Sequence, residues 1–359
     1  MSDLLIYKCP CCDGAIEFDS TSQKLRCPFC DTEFEAESVE AYNTDITSED
    51  DGIDNWEDDT QSEWDDEESK NILEYSCSTC GGVIIADNNT AATSCPFCDN
   101  PVIIKNKLGG ALKPDLIIPF RIDKKAAKKA LFNHFKGKKL LPKVFQDENH
   151  IDEIKAMYVP FWLFNCDSTG HAKYKATRVR TWRDPNYIYT ETSYYLVIRS
   201  GNLSFKKVPV DGSSSISDNL MESIEPYDWK DLIDFKTSYL SGYFADKYDV
   251  DSNNTYGRAN ERINKSIASS LDSTVIGYSS CIRQGLSVSL SNKSVKYALL
   301  PVWFLNTTWN GEKYHFVMNA QTGKFAGNLP IDKKLYNKWL WGLTAIIGAI
   351  ATIIALVII

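Results

Sequence analysis

Four Cys-x-x-Cys pairs constrain this chain more than any other feature: Cys9/Cys12, Cys27/Cys30, Cys77/Cys80 and Cys95/Cys98 take eight of its eleven cysteines. Fourteen residues separate Cys12 from Cys27, fourteen separate Cys80 from Cys95, and both second pairs read Cys-Pro-Phe-Cys-Asp. A spacing that recurs with its motif marks one module used twice. Two sulfurs on one tight turn converge on a single ion, and a second turn closes a tetrahedron with metal–sulfur bonds of about 2.3 Å. A module of about 25 residues is too small to hold a core, so metal must supply folding free energy on the order of 10–16 kcal/mol. The pattern predicts two four-cysteine zinc ribbons, over 1–36 and 72–104, and two structural zinc ions per chain. Iron on the same ligands is the alternative. Four sulfurs leave no open coordination position, so the expected role is structural, not catalytic. Cys11 breaks the two-residue gap and is the expected non-ligand. A thioredoxin-like redox role would need such a pair beside a βαβ pattern, which the sequence lacks.

The opposite end of the chain fixes an environment. Trp339–Ile359 carries no charged side chain, and 21 helical residues span about 31 Å, close to the ~30 Å hydrocarbon layer of a bilayer. Thr344 and Thr352 have the i−4 carbonyls within reach, Trp339 and Trp341 suit an interfacial belt, and Lys333, Lys334 and Lys338 precede the run. A buried core helix is the alternative, but the run has no amphipathic face. The N-terminus offers no apolar stretch of signal-peptide length. The reading is a tail anchor over 336–359 in the cell membrane, single-pass, with the bulk of the chain cytoplasmic by the positive-inside rule.

Charge is strongly segregated between these ends. Glu37–Lys70 holds fifteen Asp or Glu and one Lys, a local net charge of 1 − 15 = −14, which predicts a disordered acidic linker over 37–71. Trp56 and Trp64 within it leave open a docking segment for a basic partner. Lys105–Lys143 reverses the sign, with twelve Lys or Arg against Asp115 and Asp123. Asp123 is a candidate N-cap for a helix through Lys136 closed by Gly137, with Ala127, Ala130, Leu131 and Phe135 on its apolar face. Its lysines suit a solvated face, anionic lipid or the acidic linker. The second ribbon has no Lys or Arg between Tyr75 and Ile104, and the first has three against five carboxylates. Ribbons so charged do not neutralise phosphates, which argues against nucleic acid as their ligand.

The region 105–335 reads as a duplicated α+β domain with mainly antiparallel strands. Lys155–Asn165 aligns without gaps to Lys296–Asn306, pairing Pro160/Pro301, Trp162/Trp303 and Asn165/Asn306, with Gly170/Gly311 at the same offset. Proline within each apolar run predicts an edge strand or a strand start. Asn310-Gly311 and Gln321-Thr-Gly323 are turn signals, as is Asp184-Pro-Asn between strand-like Ala172–Trp182 and Tyr187–Arg199. Asp218–Leu271 reads as mostly helical, including Ser238–Tyr248.

No catalytic constellation emerges. His134, His150, His171 and His315 are scattered, Cys166 and Cys281 are lone thiols read as core residues, and the carboxylates of Glu222–Asp228 suit a helix cap. Nucleotide-binding loops and nucleophile-elbow motifs are missing. The expectation is therefore not an enzyme, with no catalytic or cofactor-binding residue and no small-molecule substrate.

The order of two ribbons, an acidic linker, the Pro-x-Trp segments, Ile224-Glu-Pro-Tyr-Asp228, Tyr239-Leu-Ser-Gly-Tyr and Asn319-Ala-Gln-Thr-Gly resembles the bacterial YdjG-like family, often mislabelled as primosomal helicase. That resemblance implies a membrane adaptor recruiting an SPFH-domain (flotillin-like) protein and a phage-shock protein A homologue under envelope stress. A membrane-tethered nucleic-acid binder using Lys105–Lys143 and a membrane-localised hydrolase are the competing readings.

Overall fold

In a computed structural model of the chain the described residues are 9, 16–19, 24–30, 32–35, 56–58, 64–87, 94–98, 100, 103–107, 112–146 and 154–358. They fall into two compact units that alternate along the chain. The first takes Met1–Glu57, Phe164–Val208 and Tyr256–Ser294; the second takes Asp58–Leu163, Pro209–Thr255 and Val295–Ile359.

The strands are β1 (Glu17–Asp19), β2 (Lys24–Arg26), β3 (Glu33–Phe34), β4 (Glu57–Asp58), β5 (Ile72–Cys77), β6 (Val83–Asp87), β7 (Ile103–Lys107) and β8 (Leu116–Ile117). There follow β9 (Lys155–Arg183), β10 (Ile188–Asp211), β11 (Ile233–Asp234), β12 (Phe244–Asp246), β13 (Ser280–Trp309), β14 (Glu312–Asn319) and β15 (Phe325–Gly327). The helices are α1 (Asp66–Lys70), α2 (Lys124–Phe135), α3 (Asp218–Ser223), α4 (Ser252–Asp272) and α5 (Lys333–Ile358). The chain is thus α+β with mainly antiparallel sheets, and β12 on β9 and β8 on β13 pair in parallel.

In the second unit the sheet runs β11-β8-β13-β9-β12-β6-β5-β7, with β14 beside β13 and β15 beside β14. Both faces of its central strands are covered, which explains why their apolar runs are continuous and not alternating. Met157, Val159, Phe161 and Leu163 join Leu300, Val302 and Phe304 in one core. Trp303 and Leu305 point the other way, into a core with Ala127, Leu131 and Phe135 of α2. That helix starts where Asp123 caps it, its carboxylate accepting from Ala126 N at 2.7 Å, and Gly137 follows its end at φ +81°.

The two strands that carry the aligned prolines are not edges. Pro160 and Pro301 sit inside β9 and β13, both interior in the strand order. Their short neighbours β12 and β8 pair only at Met157–Tyr158 and at Ala298–Leu299, so those ladders end before each proline. The proline carbonyls still accept, from Gly212 N at 2.9 Å and Ala320 N at 3.0 Å. Both aligned tryptophans are buried and donate Nε1 to a backbone carbonyl at 2.9 Å, Trp162 to Val250 and Trp303 to Ile122. The likeness does not extend to the glycines. Asn310 and Gly311 (φ +52° and +82°) turn β13 into β14, whereas Gly170 lies within β9, where an added Cβ would meet Ile267 Cγ2 at 2.5 Å.

Ser238–Tyr248 does not form an α-helix. A short 3-10 turn over Thr237–Leu240 gives way at Gly242 (φ +81°) to β12. The aromatic spacing there serves tertiary packing instead: Tyr243 stacks on Phe120 at 4.3 Å, and Tyr248 meets Trp162 edge-on at 5.4 Å.

In the first unit β10 pairs with β9, and Ala259, Ile263, Ile267 and Leu271 form the buried stripe of α4. Trp56, from the acidic segment expected to be disordered, is buried there against Phe164, with ring centroids 4.9 Å apart. Trp64 packs edge-on to Phe235 in the second unit at 5.7 Å, just before α1. Within that segment 37–55 and 59–63 lie outside the described residues.

Helix α5 begins where the Asp332 carboxylate accepts from Lys334 N at 2.8 Å. Its Lys333–Ile354 stretch is long and apolar enough to cross a membrane, and none of it is buried within the chain. Thr344 and Thr352 donate to the carbonyls of Leu340 and Gly348, as expected of hydroxyls in an apolar medium. Lys139 Nζ lies 4.5 Å from the Trp339 ring centre.

Candidate metal centres

The second cysteine cluster grows out of the sheet itself. Cys77 is the last residue of β5, and the chain turns back through Cys80 into β6. Two backbone bonds close the turn, Gly81 N to Cys77 O and Cys77 N to Gly82 O, each at 3.0 Å. Gly81 takes the left-handed conformation that the turn demands (φ +76°). Gly82 leaves room for the opposing turn, since a Cβ there would lie 2.5 Å from Phe97 Cδ2. The second turn, Cys95-Pro-Phe-Cys98, is closed by Cys95 N to Asn100 O at 2.9 Å.

That second turn is held from behind by side chains that the cysteine pattern did not flag. Asn306 donates Nδ2 to the carbonyls of Phe97 (3.0 Å) and Pro96, and its Oδ1 meets His315 Nδ1 at 2.8 Å. Lys155 Nζ donates to Ser94 Oγ at 2.9 Å and to Cys95 O at 3.3 Å. The only sequence signal for Asn306 was its place in the aligned Pro-x-Trp segments.

The four sulfurs of Cys77, Cys80, Cys95 and Cys98 all lie within 4.8 Å of one another. Cys77 and Cys98 are 3.7 Å apart, and Cys80 and Cys95 are 3.6 Å apart. These are far beyond a disulfide bond of about 2.05 Å. They match the edge of about 3.8 Å that a tetrahedral ion with ~2.3 Å bonds to sulfur requires. Burial pushes the Cys95 and Cys80 thiols up. Burial acts on Cys77 as well, but the Cys80 and Thr79 amides donate to its sulfur and bring it down to about 6. Four thiols so close cannot all ionise without a cation among them. The group fits a metal ion as its ligand set.

In the first cluster Cys9, Cys27 and Cys30 also lie within 4.8 Å of one another, and Cys12 lies outside the described residues. The supporting sheet has the order β1-β2-β3, and Cys27 N donates to Thr32 O at 3.0 Å. Cys9 and Cys30 approach to 3.6 Å across a separation of 21 residues, the same separation at which Cys77 and Cys98 meet at 3.7 Å in the other cluster. Cys11 is also outside the described residues.

Among the described residues the other reactive groups are dispersed. Burial and the Asp167 carboxylate push the buried Cys166 thiol up to about 11, and burial and Asp272 push up that of exposed Cys281. His134 packs on Phe325 at 4.4 Å and is held below its ordinary range by burial and Lys138. His171 bonds Ser200, while His150 lies outside the described residues.

The carboxylate-rich Glu222–Asp228 segment is architectural. Asp228 caps the 3-10 turn Trp229–Asp231, and Gln321 Oε1 and Nε2 each bond the Asp228 backbone at 2.8 Å. Asn319 Nδ2 reaches Ile224 O at 3.1 Å, while its Oδ1 accepts from Gln321 N and Thr322 N. The Ile-Glu-Pro-Tyr-Asp and Asn-Ala-Gln-Thr-Gly motifs, distant in sequence, thus form one latch.

The chain is 34% identical over 340 residues to the uncharacterized protein YdjG of Bacillus subtilis (strain 168), covering 95% of this chain and 94% of the relative. Neither a family model nor a solved structure matches it.

Proposed function

The chain belongs to the YdjG family, and from that premise we propose that it is a membrane-anchored adaptor holding partner proteins at the cytoplasmic face of the cell membrane. The observation that carries this reading is α5, an apolar helix of spanning length with no part of its Lys333–Ile354 stretch buried by the chain. The proposed partners are an SPFH-domain (flotillin-like) protein and a phage-shock protein A homologue. The metals are zinc, held by Cys77, Cys80, Cys95 and Cys98 in one ribbon and by Cys9, Cys12, Cys27 and Cys30 in the other. Zinc there would cross-link two loops and supply no chemistry, because four thiolates complete its coordination. The common first-to-last sulfur contact supports duplication of the ribbon. The shared indole and proline-carbonyl bonds support duplication of Lys155–Asn165 and Lys296–Asn306.

Co-purification from detergent tests the adaptor role: the partners should elute with the full chain and leave the membrane when it is deleted. Partners that never co-elute and stay at the membrane without it would sink the reading. Elemental analysis should find two zinc ions per chain. The exposed lysines Lys124, Lys125, Lys129 and Lys136 along α2 favour nucleic acid as the second reading; it predicts salt-dependent binding of DNA or RNA that charge reversal of those residues abolishes.

A further inference from the structure

The β9–β10 hairpin continues well past its own core. In the first unit burial ends near Thr177, and from Arg178 to Tyr195 nearly every residue is exposed on both faces of a two-stranded ribbon. Two strands with no covering layer are only marginally stable in water, yet this ribbon displays large apolar groups. Trp182 is 46% exposed, Tyr187 65% and Ile188 69%. Exposed apolar surface of this density marks an interaction site.

One face is a ladder of arginines and rings. Arg178 sits 5.4 Å from the Tyr195 ring centre and 5.7 Å from that of Tyr278. Arg180 lies 5.8 Å from Trp182, which stacks on Tyr189 at 5.6 Å. The opposite face carries Val179, Arg183, Ile188, Tyr194 and Ile198, with Ile276 and Ile282 exposed in the same unit. The ribbon's acidic groups are few. Asp184 is committed to the turn, where Oδ1 accepts from Asn186 N and Tyr187 N and Oδ2 accepts from the Tyr189 hydroxyl. The ribbon holds three arginines against Asp184 and Glu191; the segments Phe164–Val208 and Tyr256–Ser294 hold thirteen Lys or Arg against five Asp or Glu (13 − 5 = +8), whereas Met1–Glu57 of the same unit holds three against fifteen (3 − 15 = −12).

We propose that the exposed ribbon Arg178–Tyr195 is a second membrane-contacting element that docks on anionic lipid headgroups. The inference rests on the membrane-anchor reading, which attaches the chain that carries this ribbon to a bilayer. Trp and Tyr settle where hydrocarbon meets headgroup, and arginine lays its stem on apolar surface while its guanidinium stays with phosphate. The aliphatic groups Val179, Ile188 and Ile198 separate lipid from single-stranded nucleic acid. A nucleic acid would use the stacked rings and arginines but would leave those aliphatics in water.

The test uses the full chain in lipid nanodiscs, either wholly zwitterionic or with a third of the lipid anionic. Resistance to alkaline extraction from vesicles of the same lipids reads the anchor by itself; hydrogen exchange over Arg178–Tyr195 reads the ribbon. Exchange there should slow by roughly fivefold or more in anionic discs, and the protection should vanish at 1 M salt or in Arg180→Gln/Arg183→Gln. Equal exchange in both lipids, in a chain that resists extraction, overturns the ribbon proposal and leaves the anchor standing. Loss into the alkaline supernatant overturns the anchor, and the ribbon contact with it. Greater protection from a single-stranded oligonucleotide than from anionic lipid would also overturn the proposal.

Discussion

Asn319 offers the sharpest test of the packing argument, because its side chain is wholly buried and uses both ends of its amide. Nδ2 donates to Ile224 O at 3.1 Å, and Oδ1 accepts from Gln321 N at 2.9 Å and Thr322 N at 3.0 Å; a further contact to Pro226 O is long, at 3.4 Å. Asn319→Ala removes three sound hydrogen bonds, each contributing about 1 kcal/mol net, and strands the Ile224 carbonyl. The expected loss is about 3–4 kcal/mol, a large share of the ~5–15 kcal/mol typical of a folded domain. Asn319→Asp keeps the size and the acceptor but turns an oxygen towards the Ile224 carbonyl. Ionised, it should cost at least as much as alanine. Protonated, it donates again, so its folded pKa is raised and its deficit grows as pH rises from about 4. Urea unfolding of the full chain in detergent micelles, followed by tryptophan fluorescence at pH 4.5 and 7.5, measures both effects. An alanine variant within about 1 kcal/mol of wild type, or an aspartate variant with equal deficits at the two pH values, would refute the latch.

Gly82→Ala should push the Phe97 turn away, because the new Cβ would lie 2.5 Å from the ring; metal content measured on the purified chain should fall towards one ion. Asp246 is fully buried, its Oδ2 has no hydrogen-bond partner, and burial raises its carboxyl well above the ordinary range. A raised folded pKa means stability present below about pH 4 is lost as pH climbs towards the folded value. Asp246→Asn should therefore flatten the decline of unfolding free energy between pH 5 and 8, and an unchanged slope would exclude Asp246 as its source. Gly170→Ala should destabilise the first unit by about 1–3 kcal/mol through overpacking against Ile267, seen as faster hydrogen exchange along α4.

Where local chemistry decides conformation, the sequence was legible. Asn310-Gly311 makes a turn because both residues tolerate positive φ, Asp123 caps because its carboxylate precedes the helix's first free amides, and the cysteine spacing brought the sulfurs together. Tertiary context decided the rest. Ser238–Tyr248 has helical spacing, but its rings are used by Phe120 and Trp162. Pro160 and Pro301 sit in interior strands because their neighbours stop short, and neighbour length is not written in the strand itself. Asn306 behind the second cysteine cluster was visible only as a repeated letter; its partner His315 carried no signal.

The two candidate metal centres rest on very different footings. The first hangs on strands of three, three and two residues, while the second leaves the end of β5, which is paired on one side to β6 and on the other to β7. An ion escapes at the rate its surroundings open, and short strands fray far more often than a strand held on both edges. Exchange with a chelator should therefore run in two phases, a fast one at Cys9, Cys27 and Cys30 and a slow one at Cys77, Cys80, Cys95 and Cys98. A half-loaded chain would then be a long-lived species, and the N-terminal module alone would register a shortage of metal while the sheet keeps its own.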